Sequence, residues 1–232
     1  MTRGILIAGN ESSLFSAVAA EAAKRVESFI SVPIPNRFPL PEGRGTLPEG
    51  GSLPFRTETA GGAIPLSWNP ASSISARTLV LAAENRLERI NNAIVVCSPP
   101  AVFKSTEALA PEEIEILVND HIKGWFFLVR ELILYFRRSG EGSLSLVAPD
   151  IIPGSGRPPT DLLGPSALAS FRAFAQGVFA SSAGGTFQVM GFTTAEAGDE
   201  GDFAAWFFKI IDEGTGKNSG RWHKYSKLKL FR

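Results

Sequence analysis

The first two dozen residues limit the fold more than any other stretch. Residues 3–26 read RGILIAGNESSLFSAVAAEAAKRV. Gly4 to Ala8 make a short apolar run bounded by Gly9 and Asn10, which predicts a buried strand. Ser12 and Ser13 are candidate N-caps, and Leu14, Val18, Ala19, Ala22, Ala23 and Val26 then recur at helical spacing. Strand, turn and helix in this order set a helix N-terminus at the end of a buried strand, an arrangement that holds phosphate groups in α/β proteins.

The alternation continues along the chain. Residues 27–35 and 63–67 predict strands, and 72–89 an amphipathic helix. Residues 93–97 (AIVVC) are continuously apolar, the mark of a central parallel strand. The longest helical pattern covers 111–138, with Pro111 in its first turn, Glu112, Glu113 and Glu115 at its positive end, and Arg137 and Arg138 at the other. Its middle, 125–136, is apolar nearly all round and predicts cover on more than one side. Strands at 143–147 and 186–192, helices at 165–182 and 202–212, and an alternating strand at 225–231 complete the series. Such alternation implies right-handed crossovers and a doubly wound parallel α/β sheet, Rossmann-like, in one domain over 1–232. Residues 36–62 stand apart, too rich in Pro and Gly for a helix. They predict an irregular insertion leaving the second strand at the sheet edge where ligands bind.

Composition narrows the function. Formal net charge is zero over 232 residues, so no general attraction to nucleic acid or membrane is expected. No run of 18 uncharged apolar residues predicts a membrane span. The basic end of the chain, from Lys217 to Arg232, reads as a solvated strand edge where lysines discourage pairing, in preference to a nucleic-acid surface. A single cysteine, Cys97, excludes an internal disulfide and makes a reducing cytoplasm the default location. His121 and His223 form no metal-ligand spacing with Cys97, so no metal is expected. Neither a phosphate-binding G-x-x-x-x-G-K-[ST] loop nor a G-x-S-x-G nucleophile elbow occurs. Asp120 and Asp150 are lone carboxylates with no partner evident in the sequence.

Four segments carry a resemblance. Ala8-Gly9 fits the start of a T/A-G-x-x-x-G-x-G turn, and His121–Phe126 (HIKGWF) is similar to N-L-K-G-V-F. Gly142–Pro149 (GSLSLVAP) is similar to G-x-I-V-N-I-S-S, and the segment from Gly164 to Ala180 is similar to Y-x-x-x-K and the small and apolar residues after it. Together they resemble the short-chain dehydrogenase/reductase family, over residues 3 to about 231. The resemblance implies a Rossmann-like fold and hydride chemistry with NAD or NADP. In that family a tyrosine is the general acid/base, a lysine tunes it and holds the ribose, a serine polarises the carbonyl and an asparagine positions a relay water.

Those positions are altered here. The second and third turn glycines fall on Ser13 and Phe15, leaving only Gly9. The asparagine position is His121, the serine position Pro149, the tyrosine position Gly164 and the lysine position Leu168. No Tyr or Lys lies between Gly140 and Gln188, so no shift of alignment restores the pair. The one Y-x-x-x-K, Tyr225 to Lys229, falls on a predicted strand, where that spacing is about 13 Å instead of the helical 6 Å or so. After the second strand no acidic residue for a ribose appears before Glu42, and Arg37 alone could meet a 2′-phosphate. The expectation is therefore a catalytically degenerate homologue that acts as a binding or assembly partner, with no catalytic residue and no cofactor. The alternatives are an NAD(P)-dependent oxidoreductase with nonstandard residues, or a small-molecule sensor using the old pocket. The resemblance also implies a homo-oligomer in which helices around 111–138 and 165–182 pair across a two-fold axis.

Overall fold

The computed structural model describes residues 3–25, 28–36, 66–150, 161–194, 198–214 and 219–226. Six strands, β1 (Gly4–Asn10), β2 (Ser28–Ile34), β3 (Asn92–Val96), β4 (Ser143–Pro149), β5 (Gln188–Thr194) and β6 (Trp222–Tyr225), form one sheet in the order β2-β1-β3-β4-β5-β6. Every pairing is parallel. Parallel neighbours need crossovers, and the helices supply them on both faces. On one face lie α1 (Ser13–Lys24) and α6 (Glu200–Glu213). On the other lie α2 (Ser73–Leu87), α4 (Gly124–Ser139) and α5 (Leu163–Ser182). This is the predicted doubly wound architecture, with β3 central.

Both faces of the inner strands are buried, which is why β1, β3 and β4 read as continuous apolar runs. The layer under α2, α4 and α5 is aromatic: Trp125 packs against Trp68 and Phe171, and Phe136 stacks on Phe187. The opposite layer is built on Phe15, Phe192, Phe203 and Phe207. Asp212 at the end of α6 pairs with Arg3 and Arg25 and ties it to β1 and α1.

Several sequence expectations are corrected. The long helical pattern is three pieces in line: α3 (Pro111–Val118), one turn of π-helix (Asn119–Lys123), and α4. Its apolar residues are unequal: Trp125, Leu128, Val129, Leu132 and Phe136 are buried, whereas Phe126 and Leu134 are nearly half exposed. Leu66 and Ser67, placed in a strand over 63–67, are irregular, and 63–65 lie outside the described residues. The last strand begins at Trp222, three residues early, and ends at Tyr225. The insertion at 36–62 falls outside the described residues except for Asn36, as do Arg37, Glu42 and Lys229. No described helix is long and apolar enough to cross a membrane.

One buried hydrogen bond sets where β3 begins. Tyr135 Oη on α4 accepts the N–H of Ile90 at 2.9 Å, and both residues are buried. Tyr135→Phe keeps the ring and leaves that N–H unpaired. It should lower unfolding free energy by about 1–3 kcal/mol in denaturant titration; a loss below a few tenths would refute the assignment.

Candidate functional site

In an open parallel sheet the crevice lies at the carboxyl ends of the strands, where the strand order reverses. Here that point is between β1, which leads out to β2, and β3. Residues from β1, α1, β4 and α5 meet there.

The opening turn is short. β1 continues through Gly9 and Asn10, which pair with Pro33 and Ile34, and α1 starts at Ser13. Ser12 Oγ accepts the Phe15 N–H at 3.1 Å, so an internal cap takes one of the helix's free donors. Phe15 is wholly buried. A methyl group added to Gly9 would stand 2.8 Å from the Phe15 ring and 2.7 Å from Val96 Cβ. The Phe15 ring and Val96 together leave no room for a side chain at Gly9. Ser13 Oγ donates to Glu200 Oε1 at 3.0 Å. A carboxylate from the first turn of α6 therefore sits at the N-terminus of α1, where a phosphate would be drawn.

Of the four positions that the resemblance matches to catalytic residues, His121 lies in the π turn, Pro149 at the end of β4, and Gly164 and Leu168 in α5. His121 is in the π turn and buried. Burial lowers its pKa from 6.5 to about 4, so the imidazole is neutral near pH 7. A π turn inside a helix is frequently found at a functional site. Leu168 is buried in the apolar layer with Trp125 and Phe171 and offers no proton. Gly164 has no room for a side chain: a Cβ there would meet Asp161 Oδ2 at 2.4 Å and the Pro100 carbonyl oxygen at 3.3 Å. The Asp161 carboxylate stands where the family's tyrosine would leave the helix. Its Oδ1 accepts the Gly164 N–H at 3.0 Å, capping α5.

Pro149 closes β4, and its carbonyl oxygen accepts from Arg172 Nη2 at 2.7 Å. The same guanidinium reaches Asp150 Oδ1 at 2.7 Å, Thr193 Oγ1 donates to that oxygen at 2.6 Å, and Lys224 Nζ lies 2.8 Å from Oδ2. Asp150 is therefore not the lone carboxylate the sequence suggested. Burial alone would raise its pKa, but the hydrogen bonds from Lys224 and Thr193 and the charges of Arg172 and Lys224 hold it below the usual carboxylate range. The network ties the ends of β4, β5 and β6 to the middle of α5.

Cys97, just beyond β3, is buried, and burial pushes its thiol pKa up strongly against smaller opposing effects of Trp125 and Arg172. It stays a thiol and is no nucleophile. Among the described residues no cluster of three His, Cys, Asp or Glu could hold a metal. Sequence reasoning missed Asn10, Asp161, Arg172 and Glu200. Only Asp161 had a local signal, an Asp three residues before a helical N–H.

No protein-family model matches this chain. No curated protein matches its sequence. Solved structures do match its shape. The chain is similar to a 3-ketoacyl-(acyl-carrier-protein) reductase from Brucella melitensis complexed with NADH, at TM-score 0.72 and 16% identity over 96% of each chain. It is similar also to a doubly substituted short-chain dehydrogenase/reductase of Serratia marcescens, at TM-score 0.69 and 10% identity over 96% of this chain and 95% of that one. Likeness at such low identity concerns the fold alone.

The buried imidazole gives a measurable pH dependence. In the unfolded chain His121 takes up its proton near pH 6.5, in the folded chain only near pH 4. The unfolded state therefore binds more protons between those values, and stability is full above pH 6.5 and declines as pH falls toward 4. The decline from this group should be on the order of 3 kcal/mol. His121→Gln should flatten it in denaturant titrations across that range; an unchanged slope would remove His121 as its source.

Proposed function

On a short-chain dehydrogenase/reductase fold, we propose a catalytically degenerate chain that acts by binding or assembly. The observation that carries this reading is the Asp161 carboxylate lying against Gly164, with Leu168 in the apolar layer beyond it. Proton transfer by a positioned group typically contributes 10²–10⁴-fold, and Pro149, Gly164 and Leu168 have no side chain able to supply it. The dinucleotide does not fit the turn in the family's manner either: Phe15 crowds Gly9, Ser12 caps the helix and Glu200 puts negative charge at its N-terminus.

A second reading, an NAD(P)-dependent oxidoreductase with nonstandard residues, draws support from the NADH held by the Brucella reductase and from the buried neutral imidazole of His121. One experiment separates the two. Calorimetry with NADH and NADPH should show no binding at millimolar concentration, and Ser13→Gly with Phe15→Gly should restore some affinity. A low-micromolar dissociation constant in the unaltered chain, or turnover abolished by His121→Ala, would decide for the oxidoreductase.

The assembly half of the reading is a homodimer through α4 and α5. A groove of about 630 Å³ lies between them, lined by Phe126, Phe127, Ile133, Phe174 and Val178 and flanked by Arg130 and Arg137. Phe126 and Phe174 rings face each other at 4.1 Å, yet Phe126 is 46% exposed. The outward residues of α3 to α4 include Ile114, Val118, Phe126 and Leu134, all more than 40% exposed. The stripe is acidic at its start, with Glu112 and Glu115, and basic at its end, with Arg137 and Arg138. An antiparallel copy centred on Phe126 would set Val118 against Leu134 and Glu115 against Arg137, so the face is complementary to itself.

Sedimentation at micromolar concentration should give a dimer or a tetramer of dimers. Phe126→Glu, at the centre of the stripe, should weaken association at least tenfold while folding is retained. A monomeric parent chain would sink the assembly reading.

A further inference from the structure

The large hydrophobic side chains exposed among the described residues, Leu162 apart, all lie on α2, α3 and α4. The stripe along α3 and α4 does not account for the two on α2, Ile74 and Leu81, of which Ile74 is 77% exposed. Both border a second groove, of about 430 Å³, between α2 and α4. Its apolar rim is Ile74, Leu81 and Leu134, and its charge comes from Arg77, Arg130 and Arg138. Arg77 is exposed and has no ion pair among the described residues. Arg130 pairs with Glu131 and Arg138 with Glu84, but the two arginine side chains are 67% and 60% exposed, and pairs in water contribute little.

This groove fits an apolar ridge with acidic flanks. A small anion would meet the arginines and leave three aliphatic side chains in water. A wholly apolar helix would cover the arginines without matching their charge. The chain itself carries a ridge of the right kind. α3 exposes Ile114 and Val118, one turn apart, with the exposed carboxylates of Glu112 and Glu115 beside them. Neither glutamate has an ion pair among the described residues. Within one copy the ridge lies out of reach, because α3 precedes α4 in line with it, whereas the groove borders the later half of α4, from Arg130 to Arg138. In a second copy laid antiparallel on α4, α3 runs over that later half. The pairing that sets Val118 against Leu134 places it on the rim of the groove.

We infer that α3 of one copy docks in the α2–α4 groove of the other, with Ile114 and Val118 against Leu134 and Leu81, and Glu112 and Glu115 toward the arginines. Two-fold symmetry makes the contact reciprocal, so each copy gives one ridge and receives one. The inference rests on the assembly half of the proposed function and adds to it a second contact, in which charge selects the partner.

Sedimentation of the full chain at micromolar concentration tests it. Glu112→Lys with Glu115→Lys makes the ridge basic; Arg77→Glu with Leu81→Glu makes the groove acidic. All four residues are exposed, so both variants should keep the parent's thermal unfolding. The two α2 positions line this groove and not the one between α4 and α5, so the α4 stripe cannot supply their effect. Each variant alone should dimerise about tenfold or more weakly than the parent. Mixed in equal amounts, the two should form a mixed dimer tighter than either alone, since the basic ridge then meets the acidic groove and the acidic ridge the basic one. Parent-like dimerisation of either variant overturns the inference, as does a mixture no tighter than its components. If Phe126→Glu dissociates the parent while the charge reversals do not, the homodimer stands without α3 in the groove. If the reversals and the mixture behave as expected and Phe126→Glu changes nothing, the α3 contact stands and the pairing centred on Phe126 falls. A monomeric parent overturns both.

Discussion

A parallel sheet cannot expose a face to water cheaply, because each strand must be followed by a crossover that lays a helix over one side. That requirement organises this chain. Once β1 pairs with both β2 and β3, the crossovers on either side of it run in opposite directions, and the crevice at the carboxyl ends of β1 and β3 follows from the topology. The residues that reach it are therefore fixed by strand order: the turn after β1, the segment after β3, the end of β4 and the start of α5.

Internal groups occupy that crevice. Phe15 lies under Gly9, Glu200 meets Ser13, the Asp161 carboxylate lies beside Gly164, and Arg172 closes over Pro149. Each of these contacts is made by the chain itself. The result is a crevice whose electrostatics are largely satisfied from within, with positive groups matched to Asp150 and negative ones set at helix N-termini.

The alternation of elements was legible in the sequence because periodicity is local: the apolar run at residues 93–97 and the spacing from Leu14 to Ala23 depend on near neighbours only. The extension of β1 through Gly9 and Asn10 was not, since glycine ordinarily weakens a strand; here Phe15 and Val96 crowd that point and exclude any larger residue. The positions that the resemblance matches to catalytic residues could be named from the sequence, but their surroundings could not. Ser13 and Glu200 are 187 positions apart, and Thr193 and Asp150 are 43 apart. No local pattern encodes such pairs, which exist only once β4, β5, α1 and α6 are in place.

The π turn at Asn119–Lys123 governs more than the orientation of His121. In a regular α-helix every fourth residue advances by about 40° around the axis, so a row at that spacing drifts off any straight line. A π turn winds less per residue and takes back part of the drift. It lets Ile114 and Val118 of α3 share an outward face with Phe126 and Leu134 of α4 while His121 stays inside. Rewinding these five residues as plain α-helix would rotate α3 by roughly one residue's turn, about 100°, relative to α4, whereas deleting one residue would restore a plain α-helix with the two nearly in phase. The π turn thus carries one extra residue without putting the inner and outer faces of the helix out of phase.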